Sequence, residues 1–356
     1  MSLLPLLDVS SQTRTFFVNP WVNAVILGIM VLGVFISFRV LDVADLSVEG
    51  VLPMVAMLSI VLINAGVPAF VVLLISIAVG ALCGVLNALL TIYLKTPPLL
   101  SGIIVMALTF GISIMINSLM SGSVVIASGN PTVFSWLRDP LTKINPSDRV
   151  YRFYVSYLSY IGVGALILLI VWFVLYFFFG TELGMSIRAF GKNKEMAMAN
   201  GISPRLAQII ALAISGGLIG LSSSLYGQHN LSAMPTEGQG MIVIALSSLF
   251  IGEMIIGRRT FKRSMLSVLL GSLLYWYIIQ ILMLLDTQGY MLSVYKALLL
   301  IVIIAMQFLL ASIKKKHPRH PKKAGGQEET PIEQTNLLND MKASFLRHCL
   351  GGHLHA

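Results

Sequence analysis

Chemistry has few places to happen in this chain. Only 11% of its 356 residues are charged, so any ionisable or amide side chain beside an apolar run stands out. Asp42, Asp45 and Glu49 crowd into LDVADLSVEG, with Ser47 between the last two, directly before a long apolar stretch. Asn64 and Asn87 sit at the ends of apolar runs or inside them, and Glu253 is the one carboxylate well inside a run. Polar groups at membrane depth bind solute, relay protons or bond neighbouring helices. The two asparagines therefore read either as path-lining groups or as interhelical hydrogen-bonders. Glu253 reads either as a proton site or as the marker of the cytoplasmic end of its span, because Arg258 and Arg259 follow closely.

Other chemistries are absent. There is no GxxxxGK[ST] loop, so the chain binds no ATP by itself. No Ser/His/Asp set, HExxH or CxxC falls on a span or loop, which argues against an enzyme. Cys83 lies in an apolar run and Cys349 in the polar tail, so they do not pair. His348, His353 and His355 are too irregularly spaced in that tail to argue a metal site.

A second candidate is the polar stretch Gly180–Arg205, GTELGMSIRAFGKNKEMAMANGISPR. Its centre, from Asn193 to Asn200, reads as a two-turn helix. Asn193 is an N-cap, Gly201 a left-handed C-cap, and Pro204 prevents continuation. A short capped helix between two spans, carrying Lys192, Lys194 and Glu195, suits docking to a partner; the alternative is an ordinary loop that happens to be helical.

The elements that position these residues follow from composition. Hydrophobic residues are 56% of the chain and mean hydropathy is +0.86, against about 25% charged residues in a soluble domain. The chain is predicted to be an all-α polytopic membrane protein. Nine apolar runs are expected as spans: 20–38, two within 50–94 divided at Ala65–Pro68, 99–115, 161–179, 206–226, 241–256, 265–285 and 292–313. Residues 1–19 form an N-terminal segment, expected to lie along the surface or fray, and 20–313 the membrane domain. Residues 314–356 form a tail with no core-forming pattern, expected to be disordered or weakly helical. No cleavable leader is evident, and the first span serves as its own insertion signal. Residues 38–50 read as a break beside the transport path rather than a plain loop. SDRVYRFYVSYLSY, ahead of the fifth span, fits an interfacial helix, although its alternation also fits a strand. The small residues of 206–226, Ser215, Gly216, Gly217 and Gly220 among them, indicate tight helix packing.

Charge sets the orientation. Lys95, the 181–205 segment, Arg258–Arg263 and the basic run after Ile313 alternate with the 116–157 loop, His229–Gln239 and Asp286. Of these the long 116–157 loop alone is modestly positive, and the formal charge is +9. The positive-inside rule explains that balance better than nucleic-acid binding does, and puts the C-terminus in the cytoplasm. Nine spans then put the N-terminus outside; a re-entrant piece in 38–50 would change that parity. The basic start of the tail can sit on anionic lipid.

Three pieces carry a family resemblance. DLSVEG at Asp45–Gly50 is similar to the acidic-Leu-Ser-Val-Gly segment of sugar-type permeases, here with Glu49 inserted before the glycine. FFGTELGMSIRAFGKNKEMAMANGI resembles their cytoplasmic coupling segment, and GMIVIALSSLFIGE, Gly240–Glu253, resembles the span that follows. Over roughly 20–312 the chain resembles the permease subunits of bacterial type II ABC importers, the superfamily of ribose and branched-chain amino-acid permeases. FRVLDVADLSVEG with KTPPLLSGIIVM is closer to a subgroup that works with solute-binding lipoproteins, some associated with tryptophan-type amino acids.

The resemblance implies a permease of the bacterial inner membrane, with a coupling helix, pseudo-repeated halves and a second copy of the chain forming the path. An external binding protein would deliver the solute. ABC ATPase subunits inside would carry ATP and Mg, with no cofactor on this chain. Gly191, Lys192, Asn193, Lys194, Glu195, Ala197 and Gly201 are the implied ATPase contact. Asp45, Ser47, Glu49, Asn64, Asn87 and Glu253 are the candidate pathway residues, and the pseudo-repeat pairs Asp45–Gly50 with Pro235–Gly240. The chain departs from the sugar permeases in lacking their additional first span. A self-sufficient carrier or channel, favoured by Glu253 and Asn117, is the rival reading.

Overall fold

Apolar runs of this length have one way to satisfy their backbone in lipid, which is helix. The computed structural model describes residues 4–120, 122, 124–126, 129–143, 149–257, 260–285 and 292–316. Twelve α-helices occur among them: α1 Leu4–Phe35, α2 Val48–Asn64, α3 Ala69–Tyr93, α4 Pro98–Leu119, α5 Ser135–Thr142 and α6 Arg149–Phe178, then α7 Glu182–Lys192, α8 Lys194–Ala199, α9 Pro204–Asn230, α10 Met241–Ile256, α11 Phe261–Leu285 and α12 Leu292–Lys316. Seven helices are long and apolar enough to cross a membrane, and two shorter apolar ones, Val48–Asn64 and Val294–Met306, accompany them. These nine coincide with the nine expected runs. Backbone contacts gather Met1–Phe308 into one compact unit and Leu309–Ala356 into a second, of which only the helical 309–316 is described. The tail histidines, Cys349, Arg258, Arg259 and Asp286 lie outside the described residues.

One detail differs from the expectation, and another decides between its two alternatives. Residues 4–19 continue the helix of the first span instead of forming a separate surface segment, and Pro20 is accommodated within it. The segment from Arg149 is helix, continuous with the fifth span. Its aromatic residues stack along one helix, Phe153 on Tyr157 at 4.5 Å and Tyr157 on Tyr160 at 6.2 Å, so the strand alternative is excluded.

The helix order recurs with opposite sense. α1 is followed by a π-helical turn at Ile36–Val40, a non-helical stretch and the short α2, then α3. α9 is followed by an extended stretch, a 3-10 turn at Pro235–Gly238 and the short α10, then α11. α3 packs along α9, and α11 along α1. Two broken helices in corresponding places of oppositely directed halves is the architecture of an inverted repeat.

The α3–α9 seam is held by small residues. A Cβ on Gly80 would collide with the Gly216 carbonyl, and one on Gly84 with the Leu212 carbonyl. Helices approach this closely only where side chains are absent, which replaces the missing hydrophobic drive in lipid with van der Waals contact. Hydroxyls add interhelical bonds: Ser215 Oγ donates to Gly33 O at 2.8 Å and Ser222 Oγ to Ile26 O at 2.8 Å. These bonds account for the small-residue density of 206–226.

Because α3 and α9 are antiparallel, the C-terminus of α3 shares an end with the N-terminus of α9. That end carries Lys95, α7 and α8 and is called here the basic end. The opposite end carries a two-stranded antiparallel pairing, β1 Val124–Val125 with β2 Ser232–Ala233, over a separate apolar cluster around Met57, Ile60 and Val72. Apart from these four strand residues, the regular structure described is helical.

Gly84→Val is expected to destabilise the protein by about 1–3 kcal/mol through overpacking against backbone, whereas Gly111→Val, which meets nothing within 4 Å, should stay within about 1 kcal/mol of the parent. Thermal unfolding of the two variants in detergent measures the difference.

Candidate translocation and coupling sites

The first break opens where α1 runs out. Asp42, at φ 57, turns the chain out of the π-helical stretch, and residues 42–46 run as non-helical backbone up to α2. Such backbone needs partners, and Asp45 supplies them. It is buried, and its Oδ1 accepts from Ser47 N at 2.9 Å and from Asn87 Nδ2 of α3 at 2.8 Å. Thr91 and Ser101 share a 2.7 Å hydrogen bond beside this knot and tie α3 to α4. Asp45, Ser47 and Asn87 are thus brought together, with Asp45 Oδ2 and Asn87 Oδ1 buried and without a partner.

The second break meets the first. Glu49 Oε1 accepts from Gly240 N at 3.1 Å, and Gly238 lies so close to the Glu49 carbonyl that a Cβ would collide with it. Gly240 itself adopts φ 75, a conformation that glycine reaches without steric cost. The paired acid-plus-glycine links of the sequence are therefore spatial neighbours.

Asn64 and Glu253 stand apart from this joint. Asn64 ends α2, donating to Val125 O at 2.8 Å and accepting from Asn130 Nδ2 at 3.0 Å. It pins the stretch that carries β1 and Asn130 to the end of α2. Glu253 lies at the basic end of α10, where Arg39 grips it with both arms: Nε to Oε1 at 2.6 Å and Nη2 to Oε2 at 2.6 Å. The Glu253 side chain is 3% exposed and Arg39 26%. Bidentate geometry and partial burial make this pair stronger than a surface ion pair. It ties the end of α1 to the end of α10, the short helix of the other half.

The coupling segment is built as the sequence indicated. Asn193, at φ −154, separates α7 from α8 and caps α8 through Oδ1, which accepts from Met196 N at 3.0 Å. Gly201 has φ 77. Gly201 N donates to Met198 O at 3.0 Å and Ile202 N to Ala197 O at 3.1 Å, closing α8 in a Schellman motif. Of α8 only Ala197 is buried; Lys192, Asn193, Lys194 and Glu195 are exposed, as are the large side chains of Met196 and Met198, at 64% and 49%.

α7 is anchored where α8 is not. It buries Gly184, Ile187 and Phe190. Arg188 stands 4.7 Å over the Phe261 ring, which packs against Phe179 at 5.0 Å and Phe35 at 5.9 Å. Gly191 presses on the Val40 carbonyl so closely that a Cβ would collide with it. The coupling segment therefore abuts the residue at which α1 gives way to the first break.

Sequence reasoning passed over two charges. Arg39 directly follows the first apolar run, and nothing in local sequence pairs it with Glu253, 214 positions away. Lys296, half-buried in α12, was not singled out; a lysine inside an apolar run is itself the signal.

Truncating one partner of the bidentate pair, in Glu253→Gln or Arg39→Met, should cost about 1–3 kcal/mol. The Arg39→Met/Glu253→Leu double variant should recover a substantial part, and a double-mutant cycle in thermal unfolding reads the coupling.

Comparison with known proteins agrees with this geometry. The family model described as "Branched-chain amino acid transport system / permease component" matches residues 16–307. The tyrosine transport system permease protein of Clostridioides difficile is 28% identical over 307 residues, 86% of this chain and 96% of that one. A fructose import permease of Bifidobacterium longum is 31% identical over 60% of this chain and 59% of its own length. A ribose import permease of Haemophilus influenzae is 24% identical over 76% and 78%. No solved structure matches. The chain belongs to the branched-chain amino acid transport system permease family, the non-catalytic membrane subunits of ABC importers.

Proposed function

We propose that this chain is the membrane subunit of an importer for an amino acid, aromatic by preference, in the bacterial inner membrane. An external binding protein delivers the solute at the β1–β2 end, and a separate ATPase, holding ATP and Mg2+, docks at the basic end. The basic end and the C-terminus then face the cytoplasm. Two copies of the chain form the path, and the absence of a nucleotide loop in this sequence makes the ATPase a separate chain.

One observation carries the reading: α8 is capped at both termini yet buries only Ala197. A six-residue helix gains little from its own hydrogen bonds, so its order is stabilised by the caps and its exposed face is left for a partner. Met196 and Met198 offer that partner polarizable apolar side chains, with Lys192, Lys194 and Glu195 around them. Force applied there reaches Val40 through Gly191, and from Val40 the first break.

The solute preference rests on coverage. The tyrosine permease aligns over 96% of its length, while the fructose relative aligns over 59%. The subgroup resemblance of FRVLDVADLSVEG with KTPPLLSGIIVM points the same way. A sugar or nucleoside permease is the second reading, favoured by the fructose relative's 31% identity. Permease family membership sets aside the self-sufficient carrier.

Gly191→Val in the assembled transporter is expected to cut uptake about tenfold, a coupling loss near 1.4 kcal/mol, while the ATPase still co-purifies and hydrolyses ATP. Uptake at the parental rate would contradict the role given to this contact. Labelled tyrosine, tryptophan, ribose and adenosine, offered with the cognate binding protein, decide between the two solute readings.

A further inference from the structure

A polar cavity of about 430 Å3 lies between α1, α9, the second break, α11 and α12. That volume is within the range of about 300–1,000 Å3 typical of small-molecule sites. Three buried polar atoms on residues of its wall have no hydrogen-bond partner: Glu237 Oε2, Tyr275 Oη and Trp276 Nε1. Each such atom costs about 1–3 kcal/mol if left unsatisfied. All three belong to residues of one cavity's wall, which marks that wall as polar.

The wall also specifies what kind of occupant it suits. It carries one carboxylate, Glu237, and one ammonium, Lys296. The amides of Asn19, Asn23, Gln239 and Gln280 surround them, and Met241, Ile244, Ile279 and Met283 supply the apolar part. Opposite charges on one cavity match a zwitterion, whereas a neutral sugar or nucleoside would leave Glu237 without a counter-charge. Trp276 places an aromatic ring on the wall, backed by the fully buried Tyr275.

We propose that this cavity is a transient site for an aromatic α-amino acid, with its ammonium at Glu237, its carboxylate at Lys296 and its ring against Trp276. The proposal rests on the amino-acid importer reading and deepens it. The site abuts the joint between the two breaks, since Thr236, Glu237 and Gln239 of the second break line it. Lys296 is also within electrostatic reach of Glu49, whose carboxylate holds Gly240. A solute carboxylate at Lys296 competes for the charge that faces Glu49, so occupancy bears directly on that joint.

The test uses the full transporter, with its ATPase and binding protein, in proteoliposomes. Cys83 and Cys349 are replaced by serine, and Gln280→Cys on the cavity wall is reacted with a maleimide. L-Tyrosine and L-tryptophan should slow labelling about tenfold, equivalent to 1.4 kcal/mol. Tyramine, lacking the carboxylate, and 3-(4-hydroxyphenyl)propanoate, lacking the amine, should not. Glu237→Gln and Lys296→Met should each abolish protection, and Lys296→Arg should retain it, which separates lost charge from lost folding. Equal protection by tyramine, or protection that survives both neutralising variants, overturns the site. Tyrosine uptake by the same proteoliposomes without protection overturns the site and leaves the importer reading standing. Absence of both overturns the two together.

Discussion

A helix interrupted inside a membrane leaves backbone donors and acceptors that water cannot reach, and this protein has two such interruptions. The hydrogen bond from Gly240 N to Glu49 Oε1, 3.1 Å long, satisfies a donor of the second with a side chain beside the first. The carboxylate belongs to the first turn of α2 and the donor to the N-terminus of α10, so the two oppositely directed halves meet at their broken helices. Asp45 performs the matching task on the near side of the first break, holding the non-helical chain to α3 through Asn87. Polar groups in lipid are costly unless paired, and here the pairing fixes where the halves join.

Around that joint the packing is stiff in one place and open in another. The glycine seam between α3 and α9 leaves backbone against backbone, which favours two discrete arrangements over gradual deformation. The basic end is knit by the Arg39–Glu253 pair and the Phe35–Phe179–Phe261 cluster beneath Arg188. α8 stands outside this cluster, tied in through Ala197 alone. In the proposed function a push on α8 would be received by α7 and delivered at Val40, where the π-helical turn ends.

Much of this was legible in the sequence because it is local. The nine apolar runs, the divide at Ala65–Pro68 and the caps of α8 depend on residues within a few positions of one another. The break at 38–50 was legible because acids beside an apolar run cannot be plain helix facing lipid. What was hidden depends on distance in sequence. Arg39 and Glu253 each have an ordinary local meaning, and only folding makes them a pair. Glu237 sat in a link rich in polar residues, where one more acid carries no information. Its significance comes from α11 placing Tyr275 and Trp276 on the same cavity. Lys296 was the exception: its position in an apolar run was a signal that could have been used. The helical start of residues 4–19 was missed because a mixed composition does not reveal that a helix continues through Pro20.

In the proposed function, force on α8 at the basic end moves the second break at the opposite end. Spin labels at Thr236, exposed on that break, and at Leu119, the exposed far end of α4, report the distance directly by pulsed electron resonance in the assembled transporter. The account predicts that a nonhydrolysable ATP analogue bound to the ATPase shifts this distance, and that Gly191→Val abolishes the shift while nucleotide still binds. A Thr236–Leu119 distance that ignores nucleotide in the parent protein would contradict it.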